Sequence, residues 1–284
     1  MNYELRTNKG MTLTETTIVI GVAALLTALS LPAVRTFFSS MATAGNTRSL
    51  ISAALSSARA IAAKEQRYAG IRFQKAGDPN NVLNAPQYMI FIVQDPNIGA
   101  YFFRAVEGIQ PIKLSDNVGV MDFAIVSGRN QNNPVNPGTE YRLDDPTIGN
   151  AQKDTLVGNP NGYRDTTAFS IVFSPSGKLV IHGIRIRNRD SRINNASQDD
   201  VFNTWDRVMG RFVTPAGMFV QDDYFGGGSD FGLGPEPSRS SFIIYETDKF
   251  RQAYGRGRAW SDYLSQLRPV YINPYTGTIV NSGQ

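Results

Sequence analysis

The sequence predicts an α+β fold, in which a long N-terminal helix, its first half embedded in a membrane, packs on a mostly antiparallel β-sheet domain. Three observations carry this reading. Residues 16–34 are apolar and uncharged. Residues 50–62 repeat apolar side chains at three- and four-residue spacing. From residue 69 onward, short β-branched and aromatic runs alternate with turns rich in Gly, Pro, Asn and Asp. A helical segment followed by a series of strands is the α+β pattern.

The elements follow in order. Residues 1–10 are polar, with Arg6 and Lys9 against Glu4. The apolar run 16–34 would span roughly 28 Å as a helix, close to the hydrocarbon thickness of a bilayer. Arg6 and Lys9 precede it and only Arg35 follows closely, which favours a cytoplasmic N-terminus. Three readings compete: a plain anchor, a secretory signal peptide cut near Ala28-Leu29-Ser30, and a leader cut before the apolar run. Glu15 separates them. A carboxylate carried to the bilayer centre costs on the order of 2.5–3.5 kcal/mol, and neither an anchor nor a signal peptide gains from it.

Leu50, Ile51, Ala54, Leu55, Ala58, Ile61 and Ala62 form the helical stripe, with Arg48, Ser52, Ser56, Arg59 and Lys64 off it. Taken as one helix, residues 11–66 would be roughly 84 Å long. Pro32 has no N–H for the carbonyl of Ala28, so a kink is expected there. Gly45 is a second weak point, where two separate helices are the alternative. Strands are expected at 69–74, 87–93, 100–106, 119–126 and 241–246. Residues 168–173 and 179–186 read as a hairpin through Ser174-Pro175-Ser176-Gly177, and 271–272 pairs with 278–280 through the turn 273–277. Stretches at about 127–165 and 188–240 are rich in Asn, Asp, Gly and Pro and read as surface insertions.

Composition narrows the chemistry. With 41% hydrophobic and 18% charged residues, the chain can bury a core. It has no cysteine, which excludes disulfides, thiolate nucleophiles and Cys-based metal sites. A Ser-His-Asp hydrolase or a His-ligated zinc site would depend on the single histidine, His182. That residue sits in the strand-like LVIHGIRI and reads as a packed or solvated sheet residue. GRGRAW, FGLGPEP and GGGSDFG lack the strand-to-helix context of a phosphate cradle, and neither GxSxG nor HExxH occurs. The expectation is a non-enzyme without a cofactor.

Two charged groups remain. Asp222, Asp223 and Asp230 flank a triple glycine, which reads as a solvated turn, with Ca²⁺ binding as the alternative. Arg185, Arg187 and Arg189 alternate along one strand and would share a face. Arg251, Arg256, Arg258 and Arg268 gather near Tyr254 and Trp260, a combination that can grip phosphates and stack bases. A net charge of +4 is too mild to predict such a partner, and a solvated charged face is the ordinary account.

The stretch Gly10-Met11-Thr12-Leu13-Thr14-Glu15, with Pro32 beyond it, resembles the type IV pilin and type II secretion pseudopilin superfamily. Met11 stands where that family usually has Phe. The segments SLISAALSSARAIAAKEQRYAGIRF and FSIVFSPSGKLVI resemble its GspH/FimT branch of minor subunits. The resemblance implies a pilin-like fold with a leader at 1–10, a transmembrane half-helix at 11–38, an amphipathic half at 39–68 and a periplasmic domain at 69–284. A prepilin peptidase would cut between Gly10 and Met11, and Met11 would be N-methylated. Glu15 would pair with the free amine of a neighbouring subunit, since a carboxylate taken from water needs a partner. The implied partners are other major and minor pilins or pseudopilins, the inner-membrane assembly platform and membrane lipid. The implied role is to initiate or cap a pseudopilus or pilus. Gly255-Arg256-Gly257-Arg258 resembles an element of DNA-binding minor pilins, so a subunit that captures DNA for uptake is one alternative. An exported β-rich protein with a conventional signal peptide is another.

Overall fold

The computed structural model describes residues 46–75, 83–96, 100–106, 108–127, 139–187 and 236–281. Its first element is a helix over residues 46–65 (α1). The periodic stripe explains it: Ile51, Ala54, Leu55, Ala58 and Ala62 are buried, while Arg48, Ser56 and Lys64 face solvent. The buried stripe packs on the outer face of a curled sheet, against Ile71, Phe73, Met89, Phe91, Phe169 and Phe173.

That sheet is built from β1 (Ala69–Lys75), β2 (Gln87–Gln94), β3 (Phe102–Ala105), β4 (Ile112–Lys113), β8 (Phe169–Phe173), β9 (Leu179–Val180), β10 (Gly183–Arg187) and β11 (Glu236–Pro237). Its order is β11-β10-β3-β2-β1-β8-β9, with β4 added to β2. All pairs are antiparallel except β3 with β10. The sheet curls until the chain beyond β11 meets β8. Ser238 N–H donates to His182 O and Arg239 N–H donates to Ser170 O, each at 2.8 Å. Ile90, Ile92, Phe103, Val172, Ile184 and Ile186 line the inside of the curl.

Inside it lies an ion pair that an apolar strand would not be expected to carry. Arg72, fully buried on β1, meets the Glu236 carboxylate and donates to Gln74 Oε1 at 2.9 Å and Ser170 Oγ at 3.2 Å. Pairing a buried charge in this way is what makes its burial tolerable.

A four-stranded sheet follows the order β14-β13-β12-β5, from Ile279–Asn281 (β14), Val270–Ile272 (β13), Ser241–Glu246 (β12) and Val118–Met121 (β5). Beside it, β6 (Ala124–Ser127) pairs with β7 (Thr139–Arg142). The helices α2 (Asn150–Gly158), α3 (Pro160–Thr167), α4 (Thr247–Gly255) and α5 (Ala259–Asp262) enclose a second core of Met121, Val157, Tyr163, Tyr245, Phe250 and Trp260. Strand β12 serves both cores, with Phe242 on one side and Ile243 and Tyr245 on the other.

These findings correct the predicted α+β fold with a long N-terminal helix on a mostly antiparallel sheet. The described molecule is β-rich, its main sheet is curled and mixed, and its helices after α1 are short. No helix among the described residues is long and apolar enough to cross a membrane. The reason lies in the residues: the helical signal at 46–65 is an amphipathic stripe with charges on its free side, not a run of apolar residues. The membrane-embedded half was expected on residues that lie outside those described. A parallel pair arises because the curl carries β10 around to β3.

Two further differences bear on the sites. The strand expected at 119–126 is broken at Asp122, so that β5 and β6 join different sheets. The stretch expected as an insertion at about 127–165 contains β7, α2 and most of α3, and it supplies Leu143, Val157 and Tyr163 to the second core.

Candidate functional site

The predicted processing and assembly residues Gly10, Met11, Glu15 and Pro32 lie outside the described residues, and so do Asp222, Asp223 and Asp230. Among the described residues no group of three or more His, Asp or Glu side chains is placed to hold a metal ion.

The C-terminal arginines can be followed atom by atom. Helix α4 stops at Gly255, and the next residues fold back on its last turn. Gly257 N–H donates to Tyr254 O at 2.9 Å and Arg258 N–H to Ala253 O at 3.0 Å. Gly257 has φ +70°, a left-handed conformation that glycine adopts without steric cost. The Gly255-Arg256-Gly257-Arg258 run is therefore a helix stop. Its side chains are 64% and 63% exposed for Arg256 and Arg258, and both reach Asp262, at 3.7 Å and 3.2 Å. Arg251 pairs with Asp248 at 3.1 Å, and Lys249 with Glu246 at 2.8 Å. Carboxylates thus stand beside each of these cations.

The aromatics that accompany the arginines in sequence are structural. Trp260 is only 7% exposed. Its ring N–H donates to Asn150 Oδ1 at 3.2 Å, and Lys153 Nζ lies 4.8 Å from its ring centroid. Tyr254 donates its hydroxyl to Gly158 O at 2.9 Å. The Trp260 ring is not free to stack on a base.

Asp154 of α2 organises this corner. Its Oδ1 accepts the N–H groups of Trp260 at 2.7 Å and Ser261 at 3.0 Å, and its Oδ2 accepts the Ser261 hydroxyl. It caps α5 from another helix, a role that α5's own preceding residue, Arg258, does not fill. A cleft of about 870 Å³ opens beside it, reached by Thr155, Gly158, Pro160 and Arg258. The cleft is lined by a guanidinium and by the capped carboxylate of Asp154, which accepts the Ser261 hydroxyl.

Strand β10 carries Arg185, while the side chain of Arg187 and the whole of Arg189 lie outside what is described. The Arg185 guanidinium lies 5.8 Å from the Phe102 ring centroid. This strand belongs to the curled sheet, whereas Arg256 and Arg258 follow α4 after β12 of the four-stranded sheet. The two sets of arginines that the sequence suggested thus lie on different elements. His182 is packed: it stacks on Tyr68 at 4.4 Å, meets Phe103 edge-on at 5.8 Å, and its Nε2 lies 3.0 Å from Ala100 O.

Sequence reasoning missed a charged network around Arg239. Its Nε approaches Asp122 Oδ2 at 2.5 Å, and its two terminal nitrogens hold the Glu140 carboxylate at 3.1 Å each. Arg239 and Glu140 fell within or beside stretches dismissed as insertions, and the only available signal was Asp122 inside an otherwise apolar strand. No family model, no curated protein and no solved structure matches this chain.

Proposed function

We propose that the chain is a minor pilin or pseudopilin subunit, made as a precursor in the inner membrane and assembled into a periplasmic or surface filament. One observation carries the reading: Gly10-Met11-Thr12-Leu13-Thr14-Glu15 stands between a polar, basic leader and the apolar run 16–34. A cut between Gly10 and Met11 leaves a free amine four residues from the Glu15 carboxylate. In an apolar environment each needs an opposite charge. Pairing Glu15 with the Met11 amine of a neighbouring subunit satisfies both and sets the axial register of the two chains. The subunit's work is associative: it is processed by the peptidase, held by the assembly platform and lipid, and joined to other pilins.

The intact mass of the membrane-extracted protein tests this. The expected product begins at an N-methylated Met11. A product beginning near residue 31, or a chain that keeps residues 1–10, overturns the reading. Glu15→Ala should leave cleavage intact and abolish co-purification with partner pilins. Normal co-purification of that variant removes the proposed role of Glu15.

A further inference from the structure

A second cleft, of about 430 Å³, lies where the break between β5 and β6, strand β7 and the chain from β11 to β12 converge. Its polar wall is Asp122, Glu140, Arg142, Asp144 and Arg239. Three carboxylates face two guanidinium groups there, so the wall carries one excess negative charge.

The arginines are already committed. Arg239 holds Asp122 and Glu140, and Arg142 holds Asp144 through Nε at 3.0 Å and Nη2 at 2.9 Å. An incoming anion would meet the excess negative charge of the wall. The carboxylates keep unused acceptor capacity, since each oxygen has two lone pairs. Asp144 and Glu140 are also partly open to solvent, at 44% and 33% of the side chain. The excess negative charge of the wall favours a cation over an anion.

The rim is apolar. Ile181 is 63% exposed and Tyr271 is 47% exposed, and both border the cleft. Val280, also exposed, stands directly across from Tyr271 in the β13–β14 ladder, so the apolar surface continues past the cleft mouth. A small amine would leave this rim uncovered. An extended chain with a basic side chain between apolar neighbours would use both features.

We propose that the cleft is a docking site for an extended segment of a partner protein, with a lysine or arginine inserted toward Glu140 and Asp144 and its apolar neighbours on Ile181 and Tyr271. The inference rests on the cleft alone and does not depend on the filament reading. Such sites draw specificity from the charge contact and affinity from the apolar flanks.

The test is fluorescence anisotropy of the full chain in detergent with the labelled, capped peptide Ser-Val-Arg-Val-Ser. Ser-Val-Glu-Val-Ser and Ser-Gly-Arg-Gly-Ser serve as comparisons. The Arg peptide with valine flanks should bind best. Asp144→Asn and Ile181→Ser should each weaken it by about fivefold or more, on the order expected for losing one partly exposed charge or apolar contact. Glu140→Gln should act in the same direction, with its melting temperature checked because Glu140 also holds Arg239. Equal or tighter binding of the Glu peptide overturns the proposal. So does unchanged affinity in both Asp144→Asn and Ile181→Ser. Free methylguanidinium competing as well as the peptide would show a small-cation site instead and also overturns it.

Discussion

At the scale of single residues, Lys75 is the group whose surroundings are most at odds with its charge. It lies at the end of β1, almost fully buried, and donates to Leu83 O at 3.0 Å and Ala85 O at 2.9 Å. The Tyr163 ring centroid is 5.2 Å from its ammonium group. Burial, and secondarily repulsion from Arg251, pushes its pKa from the ordinary 10.5 down to about 7. The sign follows from proton counting. Between pH 7 and the unfolded value, the unfolded chain holds a proton that the folded chain has released, so stability rises with pH across that window. Below pH 7 both states are charged and the burial penalty is fully present. Lys75→Met should therefore flatten the rise in stability between pH 7 and 9, a range below the titration of the buried tyrosines. Denaturant midpoints measured at pH 6, 7, 8 and 9 would show it. A slope equal in the variant and the parent would mean that Lys75 does not titrate there.

At the scale of elements, α5 shows how little of its stability is local. It is one turn long, and its first N–H groups are satisfied by Asp154, more than a hundred residues away in sequence. Asp154→Ala should behave as a lost N-cap and destabilise by about 0.5–2 kcal/mol. It should also loosen Trp260, which a red shift of its fluorescence would report. Unchanged stability and emission would show that other groups cap α5. The same distance dependence sets what was legible in sequence. The amphipathic stripe of α1, the apolar runs of β1, β2 and β8, and the Pro-Gly turn after β8 were all readable, because each is specified by neighbours within a few residues. The break at Asp122 was not, because the residue that holds it, Arg239, is far along the chain. Helices α2 and α3 were missed for a related reason. Their sequences, NAQKDTLVG and PNGYRDTT, carry few apolar residues, and their burial comes from packing on Tyr245, Phe250 and Trp260. Of the two proposed sites, the leader pattern is a contiguous motif and can be proposed from sequence alone. The mixed-charge cleft cannot, being assembled from separate segments.

At the scale of the whole molecule, strand β8 links the outer core to the interior of the curl, through Ile171 and Phe173 on one side and Val172 on the other. Strand β12 likewise links the outer core to the helical one. Arg59 of α1 adds a tie, donating to Gly177 O at 2.9 Å and Thr276 O at 2.8 Å and so binding the helix to two turns. Strands shared in this way cannot leave one core without exposing the next, so the described residues from Thr47 onward should unfold as one cooperative unit. Leu55→Ala offers a direct check, because Leu55 is fully buried in the outer core and remote from Trp260 in sequence and in cluster. The substitution should cost about 2–5 kcal/mol. For a domain of this size that lowers the melting temperature by roughly 4–20 °C. In a Trp205→Phe background, where Trp260 is the only tryptophan, its fluorescence and the far-ultraviolet circular dichroism should shift by the same amount. A Trp260 transition that stays in place while the circular dichroism transition falls would show that the helical core folds independently of the sheet on which α1 packs.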